Sequence, residues 1–341
     1  MKLDVGLAVE GKHLPTIARD AQAAEELGFA GVWASETKHD AFLPLVLAAE
    51  HTHTIQLGTS VAIAFSRSPM VTAQTAWDLQ DFSGGRLLLG LGTQVKPHIE
   101  RRFSMPWGAP VARMREYILA LRAIWQSFQT NGPLDFQGEW YQHTLITPFF
   151  NPGPIEHPDI PIAIAGVNTG LARLAGEQCQ GFHVHPFHTP QYIREVIRPA
   201  ISAGAEQSGR SIADVELSTS VFIITGRNAA DIAEQRERMR AQIAFYASTL
   251  TYRVVLETHG WAEIGAQLTQ LAKHKRWPEM SALISDEMLH ALCVEAMPGE
   301  LGHAVRERYT GLIDRLAFYF PFEPGRDDAL WRATIAALQG S

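Results

Sequence analysis

The chain has 341 residues, whereas a single (β/α)8 barrel takes about 250, so the length calls for one barrel with roughly 90 residues of insertions or for two smaller domains. Apolar residues make up 46% and charged residues 19% of the chain, which excludes a disordered protein. Lys and Arg number 29 against 36 Asp and Glu, a formal net charge of −7, which excludes a dedicated nucleic-acid binder or a polybasic membrane sensor.

Short apolar runs alternate with amphipathic stretches, the pattern of parallel strands buried on both faces and joined by helices. In chain order the runs predict strands over Leu3–Val9, Gly31–Ala34, Ile55–Ala64, Arg86–Leu91, Ile160–Ala165, Gly181–His185, Val215–Ile224 and Ile313–Phe320. Between them, Ser68-Pro69, Thr189-Pro190 and Asn228 read as helix starts. Over 112–128, Met114, Tyr117, Ile118, Leu121, Ile124, Trp125 and Phe128 form one helical stripe. Eight strands with interleaved helices favour a closed barrel over an open sheet.

Two of the connections are too long for a helix and two loops. The first, about 129–160, is rich in Gly, Pro and aromatics, with a strand-like Leu134–Thr144. The second, about 247–303, is helical in character, with Trp261, Ile264, Leu268 and Leu271 on one stripe. A last helix is predicted near Asp327–Leu338. The length is therefore assigned to a single domain, 1–341, with insertions after the fourth and seventh strands. Trp107, Phe136, Trp140, Tyr141, Phe149 and Phe150 either line the barrel mouth or anchor the first insertion on the barrel.

Only Cys179 and Cys293 occur, too few and too far apart for a disulfide framework or a thiolate zinc site. No apolar run reaches the eighteen or so residues of a membrane span, and Met1–Val9 lacks the signature of a signal peptide. A soluble, cytoplasmic protein is expected.

Active sites of such barrels sit at the C-terminal ends of the strands, and these ends are polar here. Strand one leads to Glu10, Lys12 and His13, and strand two to Ser35-Glu36-Thr37-Lys38-His39-Asp40. Strand three carries Leu57-Gly58-Thr59-Ser60-Val61, strand four ends in Gly92-Thr93-Gln94-Val95-Lys96-Pro97-His98, strand five in Ala165-Gly166-Val167-Asn168 and strand six in His183-Val184-His185. The turn 165–168 reads in two ways: as an anion site, where glycine admits a ligand to the backbone and a helix N-terminus offers free N–H groups, or as a tight turn with Asn168 as helix cap. His183, His185 and His188 carry no metal-binding signature, and no metal is expected. Neither a G-x-S-x-G elbow nor a P-loop is present.

Gly28-Phe29 with Val32-Trp33, Leu57-Gly58-Thr59-Ser60-Val61, Ser83-Gly84-Gly85-Arg86-Leu87 running into Leu89-Gly90-Leu91-Gly92-Thr93, and Ala165-Gly166 resemble the bacterial luciferase-like superfamily, in order and on the matching strands. More narrowly, Gly92–Lys96 with His98–Phe103, and His185–Pro190, are similar to its coenzyme F420-dependent oxidoreductases. The resemblance implies a barrel holding the cofactor ring at its C-terminal mouth, with flavin mononucleotide (FMN) as the alternative to F420. It implies a cis peptide at Ser60-Val61 backing the ring, a phosphate turn at Ala165, Gly166, Val167 and Asn168, and cofactor contacts from Glu36, His98 and His185.

Where related deazaflavin enzymes carry Asp-His, the acid near the ring and the histidine for proton transfer, this chain has Glu36-Thr37, which makes Glu36 a candidate catalytic acid beside the ring. Threonine is no general base near neutral pH, so the proton-transfer role falls vacant or to His39 or His98. Val95 and Ala41 stand where the sugar-phosphate dehydrogenases of the family carry Glu and Trp, against that substrate class. The expected reaction is hydride transfer between F420 and an organic substrate; a flavin monooxygenase using O2 and a cofactor-free binding barrel are the alternatives. Arg101 and Arg102, or the run Lys273-His274-Lys275-Arg276, either meet the acidic cofactor tail or form solvated faces. A homodimer is implied by family habit.

Overall fold

The computed structural model describes residues 1–7 and 14–340; Glu10, Lys12, His13 and the end of the predicted strand Leu3–Val9 lie outside them. Eight parallel strands form the barrel: β1 (Lys2–Leu7), β2 (Gly31–Ala34), β3 (Gln56–Thr59), β4 (Leu87–Gly92), β5 (Ile162–Gly166), β6 (Gly181–Val184), β7 (Glu216–Ile224) and β8 (Arg315–Phe318). Each pairs in parallel with the next, and β8 pairs with β1 through Lys2↔Arg315 and Leu3↔Leu316, so the sheet closes. The fold is the expected (β/α)8 barrel.

The predicted third strand, Ile55–Ala64, is interrupted. After Thr59 the pairing breaks at Ser60–Val61 and resumes as the two-residue strand Ala62–Ile63 against Leu91–Gly92. The helical stripe of 112–128 lies in the helix Pro110–Thr130, and all seven of its residues are buried. Ser68, Thr189 and Asn228 cap their helices through side-chain oxygens. The helix opened by Thr189 passes through a π turn over Ile193–Ile197 before continuing as Arg198–Gln207. Pro199 accounts for this, because it supplies no N–H and its ring crowds the carbonyl four residues earlier.

The strand-like Leu134–Thr144 is a small hairpin, Phe136–Gln137 against Gln142–His143. The buried Arg113 holds it through Nε to Tyr141 Oη at 2.8 Å, while Glu116 accepts the N–H groups of Glu139, Trp140 and Tyr141. From there the chain runs along the outer helices: Trp77 Nε1 donates to the Gly153 carbonyl, Gln80 Nε2 to that of His157 and Asn151 Nδ2 to that of Ser127. Phe149 and Phe150, 88% and 64% exposed, face solvent and do not line the mouth. Trp107 packs on Phe65, and Tyr141 on Tyr117, which is the anchoring role.

Between β7 and β8 the chain is helical, as predicted, with one further strand: Cys293–Glu295 pairs in parallel with Phe222–Ile224. Three residues are too few to show a period of two, so this strand left no pattern to read. Helix Leu301–Tyr309 follows it, and helix Asp328–Gln339 ends the described chain against β1. No helix among the described residues is long and apolar enough to cross a membrane.

Candidate active site

Side chains alternate along a strand, so the barrel interior can be followed from one fixed point. Arg315 on β8 is buried. It donates from Nε and Nη2 to Asp4 on β1 at 2.6 and 2.8 Å, and from Nη1 to Glu216 on β7 at 2.8 Å and to Gln56 on β3. Groups from four strands meet only inside the barrel, so this layer forms its floor. One layer up, Trp33 stacks under the Arg315 guanidinium and meets the His183 ring edge-on at 5.2 Å, while His183 Nδ1 bonds the Ser218 hydroxyl. A Cβ on Gly58 would come within 2.0 Å of the Trp33 ring, which is why β3 carries glycine there. Burial lowers the His183 pKa to about 4, assisted by nearby Arg315, and the ring is neutral.

Two residues further along the strands the inward positions are Ser60 on β3, Gly92 on β4, Ala165 on β5, His185 after β6, Ser220 on β7 and Ala317 on β8, small except for His185. A Cβ on Gly92 would lie 2.5 Å from Val61 Cγ2, so glycine there makes room for the β3 bulge. One step higher on β7 and β8 the same parity leads to Phe222 and Tyr319. Phe318 and Phe320 instead pack outward on Trp331, which fixes Tyr319 as inward.

The Ser60–Val61 peptide bond is cis, as the resemblance implies. Its surroundings are fully bonded: Ser35 Oγ donates to the Ser60 carbonyl at 2.7 Å, Glu36 N–H to the Val61 carbonyl at 3.2 Å and Ser60 N–H to the Ala34 carbonyl at 2.8 Å. Glu36 completes the arrangement. Its Oε2 accepts Ile63 N–H at 2.6 Å and Arg67 Nη1 at 3.0 Å, and its Oε1 accepts Arg67 Nη2 at 2.6 Å. Arg67 and the Ile63 N–H thus engage both carboxylate oxygens, and through them Glu36 ties the β3 bulge to the end of β2. Arg67 was not anticipated from the sequence.

At the end of β5, Val167 is buried and its carbonyl accepts Tyr192 Oη at 2.6 Å. Asn168 precedes helix Thr169–Gln178 but makes no side-chain capping bond, which leaves the first-turn N–H groups open, as an anion requires. Asn168 is exposed, while Ala165 and Gly166 are half-buried.

His39 and His98 are both exposed, on the β2–α loop and on helix Lys96–Arg101. Arg102 donates to the Thr37 carbonyl, joining those two loops. Arg276 is paired with Glu279 at the surface, as a solvated face would be. His183, His185 and His188 diverge: His188 lies outside the barrel, Nε2 3.0 Å from Tyr309 Oη, and no group of three His, Cys, Asp or Glu side chains with metal-binding geometry exists among the described residues.

His185 turns into an aromatic cage. Its Nδ1 accepts Phe187 N–H at 3.1 Å, its ring stacks on Tyr252 at 4.4 Å and meets Tyr246 edge-on at 5.0 Å. Burial, with His188 nearby, lowers its pKa to about 3. Phe222 packs on both Tyr246 and Tyr319, whose hydroxyls are 2.6 Å apart. Tyr246 and Tyr252 come from the connection after β7, and neither drew attention in the sequence.

A cavity of about 520 Å³ lies at the opposite, N-terminal end of the barrel, bordered by Arg122, Gln178, Gln180 and Arg210. Both arginines are engaged there with carbonyls at the end of helix Thr169–Gln178, a structural arrangement away from the strand C-termini.

The family model described as luciferase-like monooxygenase matches residues 2–315. An uncharacterized protein of Mycobacterium tuberculosis is 46% identical over 313 residues, 91% of this chain and 92% of its own. The 5,10-methylenetetrahydromethanopterin reductase of Methanolobus tindarius is 25% identical over 321 residues, 92% of this chain and 93% of its own. Among solved structures, the coenzyme F420-dependent tetrahydromethanopterin reductase of Methanopyrus kandleri superposes with a TM-score of 0.78 at 20% identity, covering 98% of this chain and 97% of that one.

Proposed function

The chain belongs to the luciferase-like monooxygenase family, and from that premise we propose that it is an oxidoreductase dependent on the deazaflavin coenzyme F420, acting on a small organic substrate at the barrel mouth. The observation that carries this reading is the pairing, at one end of the barrel, of the bulge that interrupts the third strand at Ser60–Val61 with the uncapped N-terminus of helix Thr169–Gln178. The first offers a flat backbone wall among small side chains, and the second offers N–H groups to a phosphate. These residues fit a planar ring with a phosphate-bearing tail. The fold is shared with an F420-dependent reductase and with an FMN-binding monooxygenase; the likeness of Gly92–Lys96, His98–Phe103 and His185–Pro190 to F420-dependent oxidoreductases favours the deazaflavin.

Bound there, a deazaflavin supplies a hydride donor or acceptor. Ser60 and Val61 would back its ring, with Glu36 and Arg67 holding their peptide in place. Ala165, Gly166, Val167 and Asn168 would receive the phosphate through backbone N–H groups, and His98 would approach the ring from its exposed helix. His185, neutral and packed in the cage, would orient by shape. In the single domain, the connection after β7, which brings Tyr246 and Tyr252 against His185, would be the substrate-selecting part. Leu43, Val46 and Val71, exposed on the adjoining helices Phe42–His51 and Pro69–Phe82, support a homodimer, and we take the compartment to be the cytoplasm.

Fluorescence titration with oxidised F420 and with FMN tests the cofactor directly. Tight F420 binding is expected. Tight FMN binding without F420 binding would favour an oxygen-using monooxygenase, and binding of neither would favour a cofactor-free barrel.

A further inference from the structure

The proposed cofactor site leaves proton transfer unassigned. Thr37 is not a general base, Glu36 is engaged by Arg67 and Ile63, and His39 and His98 are exposed. Across the barrel from β3 stand β7 and β8, four and five strands away around the ring, and there a pair of hydroxyls bridges two elements. Tyr319 follows β8 and faces inward; Tyr246 lies at the end of helix Ala229–Ala247; their oxygens are 2.6 Å apart.

We propose that Tyr319, backed by Tyr246, is the proton donor to the substrate oxygen, and that the substrate is an uncharged ketone or aldehyde, or the corresponding alcohol in the reverse direction. The inference rests on the F420 reading above.

Three observations support it. Among the described residues, the rings around the pair are Phe222, Tyr252, Phe187, Phe245 and His185, an apolar and neutral lining suited to an uncharged substrate. Second, the two hydroxyls are 2.6 Å apart and either can donate to the other; with a substrate oxygen at Tyr319, the arrangement in which Tyr246 donates to Tyr319 Oη leaves the Tyr319 proton for the substrate. Tyr319, 37% exposed, then keeps its own O–H for a third partner. Third, a phenol is a weak acid of pKa about 10, matched to a strong base such as an alkoxide and mismatched to a carboxylate.

The balance closes. As the carbonyl carbon gains the hydride supplied by reduced F420, the C=O π bond breaks and its electron pair goes to oxygen. That oxygen takes the Tyr319 proton to give the alcohol, Tyr319 is reprotonated by Tyr246, and Tyr246 by water. The substrate is reduced by two electrons and the coenzyme oxidised by two.

The test uses cyclohexanone as probe with wild type, Tyr319→Phe and Tyr246→Phe, which keep the cage rings. The infrared carbonyl stretch of the bound ketone, with oxidised F420 present and in the protein alone, should fall below its value in an apolar solvent. It should return toward that value in Tyr319→Phe and partly in Tyr246→Phe. Single-turnover oxidation of reduced F420 by the ketone should slow by about 10²-fold in Tyr319→Phe, with F420 affinity unchanged. A lowered stretch and unchanged rate in both variants, or no bound ketone at all, would overturn the proposal. Failure of F420 to bind would defeat the cofactor reading instead, and the infrared result on the protein alone would still decide the tyrosine contact.

Discussion

Arg315 and Asp4 form a two-pronged buried ion pair, Nε–Oδ2 2.6 Å and Nη2–Oδ1 2.8 Å, joining the last barrel strand to the first. The same guanidinium reaches Glu216, so one cation serves two carboxylates. Removing a single partner of such a set leaves charge buried without compensation. Arg315→Met should therefore lower stability by about 3–5 kcal/mol in urea unfolding, whereas Lys2→Met, which releases only a half-exposed bond to Glu216, should cost less than about 1 kcal/mol. Similar losses for both would mean that the barrel floor does not depend on the pair.

Three histidines make stability sensitive to mild acid. Burial lowers His183 and His188 to about 4 and His185 to about 3, from 6.5. The unfolded chain takes up protons at these sites as pH falls through 6.5, while the folded protein resists until about 4. Stability is therefore constant above about pH 7 and declines between 6.5 and 4. From pH 7.5 to 5.0 each site should remove about 2 kcal/mol. Unfolding midpoints at the two pH values check this, and His188→Gln should lower the loss attributable to the three by about a third. A flat profile over that interval would sink it.

Parts of this arrangement were legible in the sequence and parts were not. Strand β2 falls on its predicted bounds, Gly31–Ala34, because all four of its residues are buried and a glycine and a polar run delimit it. The bulge at Ser60–Val61 was reachable only through family likeness, since Ile55–Ala64 reads as one uninterrupted strand. Glu36 looked catalytic because its sequence position marks the mouth but not its partner, and Arg67 lies 31 residues further on. Tyr246 and Tyr319 are 73 residues apart, and which face of β8 Tyr319 occupies depends on Arg315 pointing inward, a fact of closure rather than of local pattern.

The open end of helix Thr169–Gln178 allows stability and ligand binding to be separated. Asn168 makes no capping bond, and an aspartate at that place favours a helix N-terminus by about 0.3–1 kcal/mol. The same negative charge would repel a phosphate held at the first-turn N–H groups. Asn168→Asp should keep or slightly raise the thermal midpoint while weakening F420 binding by about tenfold. An unchanged Kd measured by fluorescence would place the phosphate elsewhere.

Glu36 and Arg67 distinguish positioning from contact. The Glu36 carboxylate is 7% exposed and bonded twice by Arg67 and once by Ile63 N–H. In Glu36→Gln the amide oxygen can still accept Ile63 N–H, and Arg67 retains Asp40 3.5 Å away; the expected stability loss is about 1–2 kcal/mol, with F420 affinity within about threefold. Arg67→Met leaves a buried carboxylate without its cation, which should cost about 3–5 kcal/mol, free the β3 bulge and weaken F420 binding by at least about tenfold. Urea unfolding and fluorescence titration of both variants read the two effects separately. If Glu36→Gln alone abolished binding at full stability, Glu36 would be touching the cofactor and not merely holding Ser60–Val61 in place.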